Sequence, residues 1–209
     1  MLTRIRMAVV TAGSVVAAMA AVAPSAHAGL LSLTTGPCGQ VETHPFAPWG
    51  DNAAYVQVPG GTFESGAAGW ALNGGAKVVS GNETFGVSGP GSHSLSLPAG
   101  SSATSPAQCT GIDHPSMRFF VRNTGSSSSR LNVYATYPLL LGIPYTAYLG
   151  SVSGTGKWEP SSVVQVGLLN NTLGSLTLGE STISFTFRPA DSTGNWQIDD
   201  AYLDPFCRL

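Results

Sequence analysis

Charge is what this sequence has least of. Only 10% of its 209 residues are Asp, Glu, Lys or Arg, nine basic against eleven acidic. Setting aside Arg4 and Arg6, which precede an apolar N-terminal run, leaves seven basic residues against eleven acidic, a formal charge of −4. That balance excludes the basic footprint of a nucleic-acid binder or of a protein held on anionic lipid. Helical patterning is missing too. No segment after Gly29 sustains a 3.6-residue apolar period, which predicts no helix of consequence. Nor does any later run have the length and apolarity to span a bilayer. Cysteine is limited to Cys38, Cys109 and Cys207, with no C-x-x-C pair, which argues against a zinc knuckle.

Catalytic motifs are equally scarce. There is no G-x-S-x-G elbow, since "FGVSGPG" and "GSVSG" have the wrong spacing. "GSVSGTGKW" lacks the first Gly of a phosphate loop and has Trp158 where Ser or Thr is required. His44, His93 and His114 show no zinc-type spacing and read as surface or turn histidines. A glycosidase needs two opposed carboxylates in a cleft. Glu83 with Glu159 or Asp113 is the pair the sequence offers, and no motif argues for it. The expectation is a protein that is not an enzyme.

What is present begins with "MAVVTAGSVVAAMAAVA" behind Arg4 and Arg6, followed by the small-residue site "SAHA". Together they predict a secretory signal peptide over 1–28, with no membrane insertion once it is cleaved. The alternative is an uncleaved anchor, because the run approaches spanning length. A secreted, extracellular chain permits disulfides. Three cysteines allow three pairings, of which Cys38 with Cys109 is favoured because it ties the N-terminal segment to the domain body. Residues 29–54 carry Pro37, Pro45 and Pro48 and no periodicity, and are expected to form an irregular lead-in with Trp49 packed on the domain.

From 55 to 206 the pattern is alternation between Gly, Ser, Pro and Asn turns. Leu95 pairs with Leu97. Met117, Phe119 and Val121 stand against Arg118, Phe120 and Arg122. Leu131, Val133 and Ala135 stand against Asn132, Tyr134 and Thr136, and Ile183, Phe185 and Phe187 against Ser184, Thr186 and Arg188. With "AKVVSG", "TAYLGSV" and "SSVVQVGLL" as further strands, the chain reads as all-β: a two-sheet antiparallel β-sandwich with jelly-roll topology.

Two acidic stretches bracket this domain. Glu64 lies in "GGTFESGAAGW" and the adjacent Asp199 and Asp200 in "NWQIDDAYLDP". First and last strands of a sandwich commonly neighbour each other, so Glu64 and Asp199 could meet near a sheet edge beside Gly-rich turns, a donor set that suits calcium. Strict alternation leaves both faces of 196–203 mixed. A bulge near Asp199 and Asp200 would turn Ile198 and Ala201 inward together and aim a carboxylate at a bound ion.

These motifs, with "GNETF", "SLSLPAGSSATSP", "RFFVRN" and "WQIDDAYL", resemble carbohydrate-binding modules of the xylanase- and cellulase-associated kind, in the galactose-binding-like jelly-roll group. Closer still is the likeness to secreted actinobacterial proteins of that build. The resemblance covers about residues 55–205. It implies a structural calcium held by Glu64 and Asp199, with Asp200 as an additional ligand or as an acceptor for a neighbouring loop. It also implies a polysaccharide or cell-envelope glycan as partner, against the alternative of a cell-surface interaction protein that binds no sugar. Sugars present apolar C–H faces and hydroxyl rims, so stacking aromatics and planar polar groups are the candidates. These are Tyr134, Tyr137, Tyr145, Tyr148 and Trp158, with Arg118, Arg122 and Asn132. Trp70 and Trp196 are expected to be structural.

Overall fold

The computed structural model describes residues 40–111, 116–138, 143–166 and 180–204. The expected signal peptide lies outside them, as do Cys38, Asp113, His114 and Cys207. Among the described residues, fourteen strands form two antiparallel sheets, the two layers of a jelly-roll sandwich. The helical content among the described residues is a single 3-10 turn, Ala47–Trp49.

The first sheet contains β1 (Glu42–Thr43), β2 (Tyr55–Gln57), β4 (Lys77–Ser80), β5 (His93–Pro98), β8 (Ser116–Asn123), β11 (Glu159–Pro160), β12 (Val164–Gln165) and β14 (Asn195–Asp204). The second contains β3 (Ala71–Asn73), β6 (Ser102–Thr104), β7 (Gln108–Gly111), β9 (Leu131–Pro138), β10 (Pro144–Val152) and β13 (Glu180–Pro189). β1 falls inside the stretch read from sequence as an irregular lead-in, and it extends the sheet through β2.

Alternation builds the core between the sheets. Met117, Phe119 and Val121 of the first sheet meet Leu131, Val133, Ala135, Ile183, Phe185 and Phe187 of the second, as the sequence pattern predicts. Trp70 and Trp196 are buried, their indole N–H groups donating to Pro59 O and Ser129 Oγ. Both are structural, as expected.

β14 organises the first sheet. Along one side it pairs with β8; along the other it pairs with β5 from Asn195 to Ile198 and with β2 from Tyr202 to Leu203. The change of partner falls at a register shift between Asp199 and Tyr202. Asp200 adopts φ +46° there, a left-handed conformation that Asp tolerates better than most residues. The bulge places Ile198 and Ala201 in the core together. Gly61 fits against it: a Cβ there would stand 2.9 Å from Val58 O and 3.2 Å from Ala201 O.

The outer face of the first sheet is also covered. Phe46, Tyr55, Phe120, Trp158 and Tyr202 form a second core with Trp49, Ala53 and Val87. Trp49 packs on Phe120 at 5.3 Å between ring centroids, the docking expected of it. Arg118 sits inside this layer. Its guanidinium donates to Asp51 Oδ2 at 2.8 Å and to Ser161 O, and lies 4.4 Å from the Phe46 ring centroid. Asp51 also accepts from the Tyr55 hydroxyl at 2.8 Å. Removing one partner of a buried ion pair leaves the other charge desolvated, at a cost of about 3–5 kcal/mol. Arg118→Ala is therefore expected to lower unfolding free energy by about that amount in a urea titration, whereas loss below about 1 kcal/mol would place the pair at the solvated surface.

Candidate functional site

Glu64 follows Phe63 in a tight turn and points its carboxylate at the start of β5. It accepts from the backbone N–H groups of Ser92 and His93, both at 2.8 Å, from the Ser92 hydroxyl, and from His93 Nδ1 at 3.3 Å. Desolvation pushes this carboxyl up, but those hydrogen bonds together outweigh it and hold it below the usual glutamate range. No hydrogen bond among the described residues links Glu64 to Asp199 or Asp200.

The residue that does reach the aspartates is Glu83, considered from sequence only as half of a catalytic pair. Its backbone N–H donates to Asp199 Oδ2 at 2.9 Å, and the Asp200 N–H donates to Asp199 Oδ1 at 2.9 Å. The Glu83 carboxylate in turn accepts from the N–H groups of Phe85, Gly86 and Val87. Asp200 faces Ser88 and Glu83. Loop 82–89 is thus fastened to the β14 bulge by carboxylates that cap its backbone. Glu83, Asp199 and Asp200 are each only 2% exposed.

Burial pushes Asp199 up to about 8, with the charges of Asp200 and Glu83 adding to it against the Glu83 N–H. Burial likewise pushes Asp200 up to about 6. Asp200 Oδ1 is buried without a hydrogen-bond partner. An all-oxygen set with one orphaned carboxylate atom fits a hard cation in its chemistry. Among the described residues, no three His, Cys, Asp or Glu side chains come together as a complete metal-binding group, so backbone carbonyls would have to supply the remaining ligands.

The aromatic and basic candidates divide between the two sheets. Arg118, expected on an exposed sheet face, is 8% exposed, and Trp158, a stacking candidate, is 9% exposed. Alternation does turn Arg118 away from the main core, but residues 44–55 cover that face. Arg122 is half-buried, donates to Gln197 Oε1 at 2.8 Å and lies 4.9 Å from the Trp158 ring centroid. Tyr137 is fully buried, and burial raises its hydroxyl pKa strongly. Tyr145 shares the face of Tyr137 and emerges at the sheet edge, 37% exposed. Glu159 accepts from the Thr155 N–H, and His44 Nδ1 contacts the carbonyls of Asn52 and Ala53, so neither builds a cleft pair.

Tyr134 and Tyr148 remain, both on the outer face of the second sheet. Register places Tyr148 beside Tyr134, Tyr134 beside Thr186, Thr186 beside Thr104 and Thr104 beside Ala71. This row crosses five strands, about 19 Å at the usual strand spacing. The two tyrosine rings stand 5.3 Å apart, and the Thr104 and Thr186 hydroxyls are joined at 2.8 Å. A neighbouring row runs Thr146, Thr136, Ser184, and another Ser151, Asn132, Arg188. At one end opens a groove of about 460 Å³, lined by Ala99, Gly100, Asn132, Tyr134, Arg188 and Asp191 among others. Hydroxyls around two aromatic rings, with an amide and a guanidinium alongside, form a surface for a hydroxylated, partly apolar ligand. The threonines were legible in sequence only as the polar half of an alternation; their alignment across strands requires the register.

Cys109 on β7 is disulfide-bonded. The pairing with Cys38 that the sequence favours involves a residue outside the described ones.

No family model matches the sequence, and no curated protein matches it. Solved structures that match are carbohydrate-binding modules in the main. The CBM22-1 xylan-binding domain of Paenibacillus barcinonensis Xyn10C is 14% identical, over 71% of this chain and 93% of that one, with TM-score 0.49. The C-terminal family 22 carbohydrate-binding module of Clostridium thermocellum Xyn10B is 20% identical, over 68% and 90%, with TM-score 0.42. TmCBM61, solved with beta-1,4-galactotriose, is 17% identical, over 69% and 94%, with TM-score 0.39. At these identities and TM-scores the likeness assigns no ligand to any residue here.

The raised aspartates set a direction for pH. A carboxyl whose folded pKa lies above its unfolded value near 3.8 contributes stability below that value and loses it as pH rises through the folded pKa. In the presence of a chelator, the contribution of Asp199 is expected to decline between about pH 4 and the folded value of about 8. Asp199→Asn removes that titration. The melting temperature of the variant relative to the parent should therefore rise from pH 4 to pH 8, and a constant difference would contradict the assignment.

Proposed function

We propose that this chain is a secreted, non-catalytic module that binds a carbohydrate, either a polysaccharide or a cell-envelope glycan, on the outer face of its second sheet. The observation that carries the reading is the row Tyr148, Tyr134, Thr186, Thr104 beside the open groove, on the sheet whose outer face no second core covers among the described residues. Tyrosine rings supply the stacking faces for sugar C–H patches, and Asn132 and the threonine hydroxyls supply bonds to sugar hydroxyls. Secretion rests on the N-terminal apolar run and its small-residue site, and it suits the disulfide at Cys109.

A structural calcium belongs to the same proposal. Asp199 and Asp200 would hold it with neighbouring backbone carbonyls, neutralising buried carboxylates and clamping loop 82–89 to β14. Glu64, with four hydrogen bonds of its own, would stabilise the adjacent turn instead.

The alternative is a cell-surface interaction protein without sugar binding, and β10 favours it. Among the described residues only β9 pairs with β10. The strand carries no charge, and Ile143, Tyr145 and Tyr148 are exposed along it. Such an edge can accept another strand.

Two measurements decide between these readings. In affinity electrophoresis through a panel of soluble polysaccharides that includes xylan and galactan, Tyr134→Ala is expected to weaken retention several-fold, since stacking contributes roughly 0.5–1.5 kcal/mol beyond the area it buries. No retention of the parent on any glycan would favour the interaction protein. Calcium added to chelated protein at neutral pH should raise the melting temperature by several degrees, and Asp200→Asn should abolish the rise while Glu64→Gln keeps it. An unchanged melting temperature in the parent would remove calcium from the account.

A further inference from the structure

The described part of the chain contains four arginines, and three of them are spent inside the protein. Arg118 is bound to Asp51 and Ser161, Arg122 to Gln197 over Trp158, and Arg130 to the carbonyls of Ser127, Ser128 and Ser129. Arg188 is different. It is exposed on β13, and no described residue makes a hydrogen bond or an ion pair with it. Its position is not random either. It is the only charged residue in the three outward rows, next to Asn132 in register, and it lines the groove that Tyr134 also lines.

One carboxylate shares that groove. Asp191 is committed to its own turn, where Oδ1 accepts from the Thr193 N–H at 2.7 Å and the Thr193 hydroxyl at 2.6 Å. Those bonds hold it below the usual aspartate range. It therefore closes a loop and leaves Arg188 unneutralised. The net negative charge of the chain does not cancel this local cation, because charges beyond about 8 Å are largely screened at physiological ionic strength.

We infer that the glycan bound by this face carries carboxylates, as a uronic-acid polysaccharide does, and that Arg188 is the residue that selects them. The inference rests on the carbohydrate reading of the Tyr134 face. A guanidinium presents a planar fork of N–H donors that matches the two oxygens of a carboxylate. A sugar ring stacked on Tyr134 would have its substituents at the groove wall, within the part of the surface where Arg188 stands.

The test compares the full chain with Arg188→Ala and Arg188→Lys on glucuronic-acid-substituted xylan and on polygalacturonate. Each polymer is also used after reduction of its carboxyls to primary alcohols. The parent is expected to bind the acidic forms at least about tenfold more tightly than the reduced ones. Arg188→Ala should erase that ratio by lowering affinity for the acidic polymers to that for the reduced ones, and Arg188→Lys should restore only part of it, because the ammonium lacks the fork. Equal binding of acidic and reduced polymers by the parent overturns the inference, as does a loss in Arg188→Ala that is the same on both, or no retention of any of the four. The underlying carbohydrate reading fails separately: there Tyr134→Ala would match the parent on every neutral and acidic glycan.

Discussion

A buried ion pair fastens the N-terminal lead-in across the first sheet, and the covering of that sheet's outer face depends on it. Arg118 leaves the outer side of β8, meets Asp51 at 2.8 Å and lies over Phe46, while Tyr55 donates to the same carboxylate. The aromatic layer of Phe46, Trp49, Phe120, Trp158 and Tyr202 closes over these groups. A sheet with both faces buried has no broad surface to offer a ligand. Among the described residues the second sheet carries no such second layer, and its outer rows present half-buried Asn132 and Tyr134 beside exposed Tyr148 and Arg188.

The β14 bulge solves a related problem of topology. β14 must pair with β5 first and β2 afterwards on the same side, and the join leaves backbone groups without a regular ladder partner. Asp199 and Asp200 occupy the join, and loop 82–89 supplies the N–H groups that meet them. Desolvated carboxylates clustered this way are costly unless protonated or neutralised by a cation, and both aspartates are accordingly pushed above the usual carboxylate range.

Much of this was legible in the sequence, because a period of two is a local signal. The faces of β8, β9 and β13, the need for a bulge that turns Ile198 and Ala201 inward, and the structural roles of Trp70 and Trp196 all follow from residue order. What alternation does not specify is what lies above an outward face. Arg118 points away from the main core as expected, yet the lead-in buries it. Glu83 was obscure for a similar reason. Its partners are backbone N–H groups within its own loop and an aspartate 116 residues away, and neither leaves a mark in composition. The threonine row became visible only when the strands were in register.

The most direct test of the account is amide hydrogen exchange on the full chain with and without a saturating soluble polysaccharide. Protection is predicted on β9, β10 and β13 around Tyr134, Tyr148 and Arg188, with β8, β11 and loop 82–89 unchanged. Protection centred on Trp158, Arg122 and loop 82–89 would place the ligand on the first sheet and contradict the account.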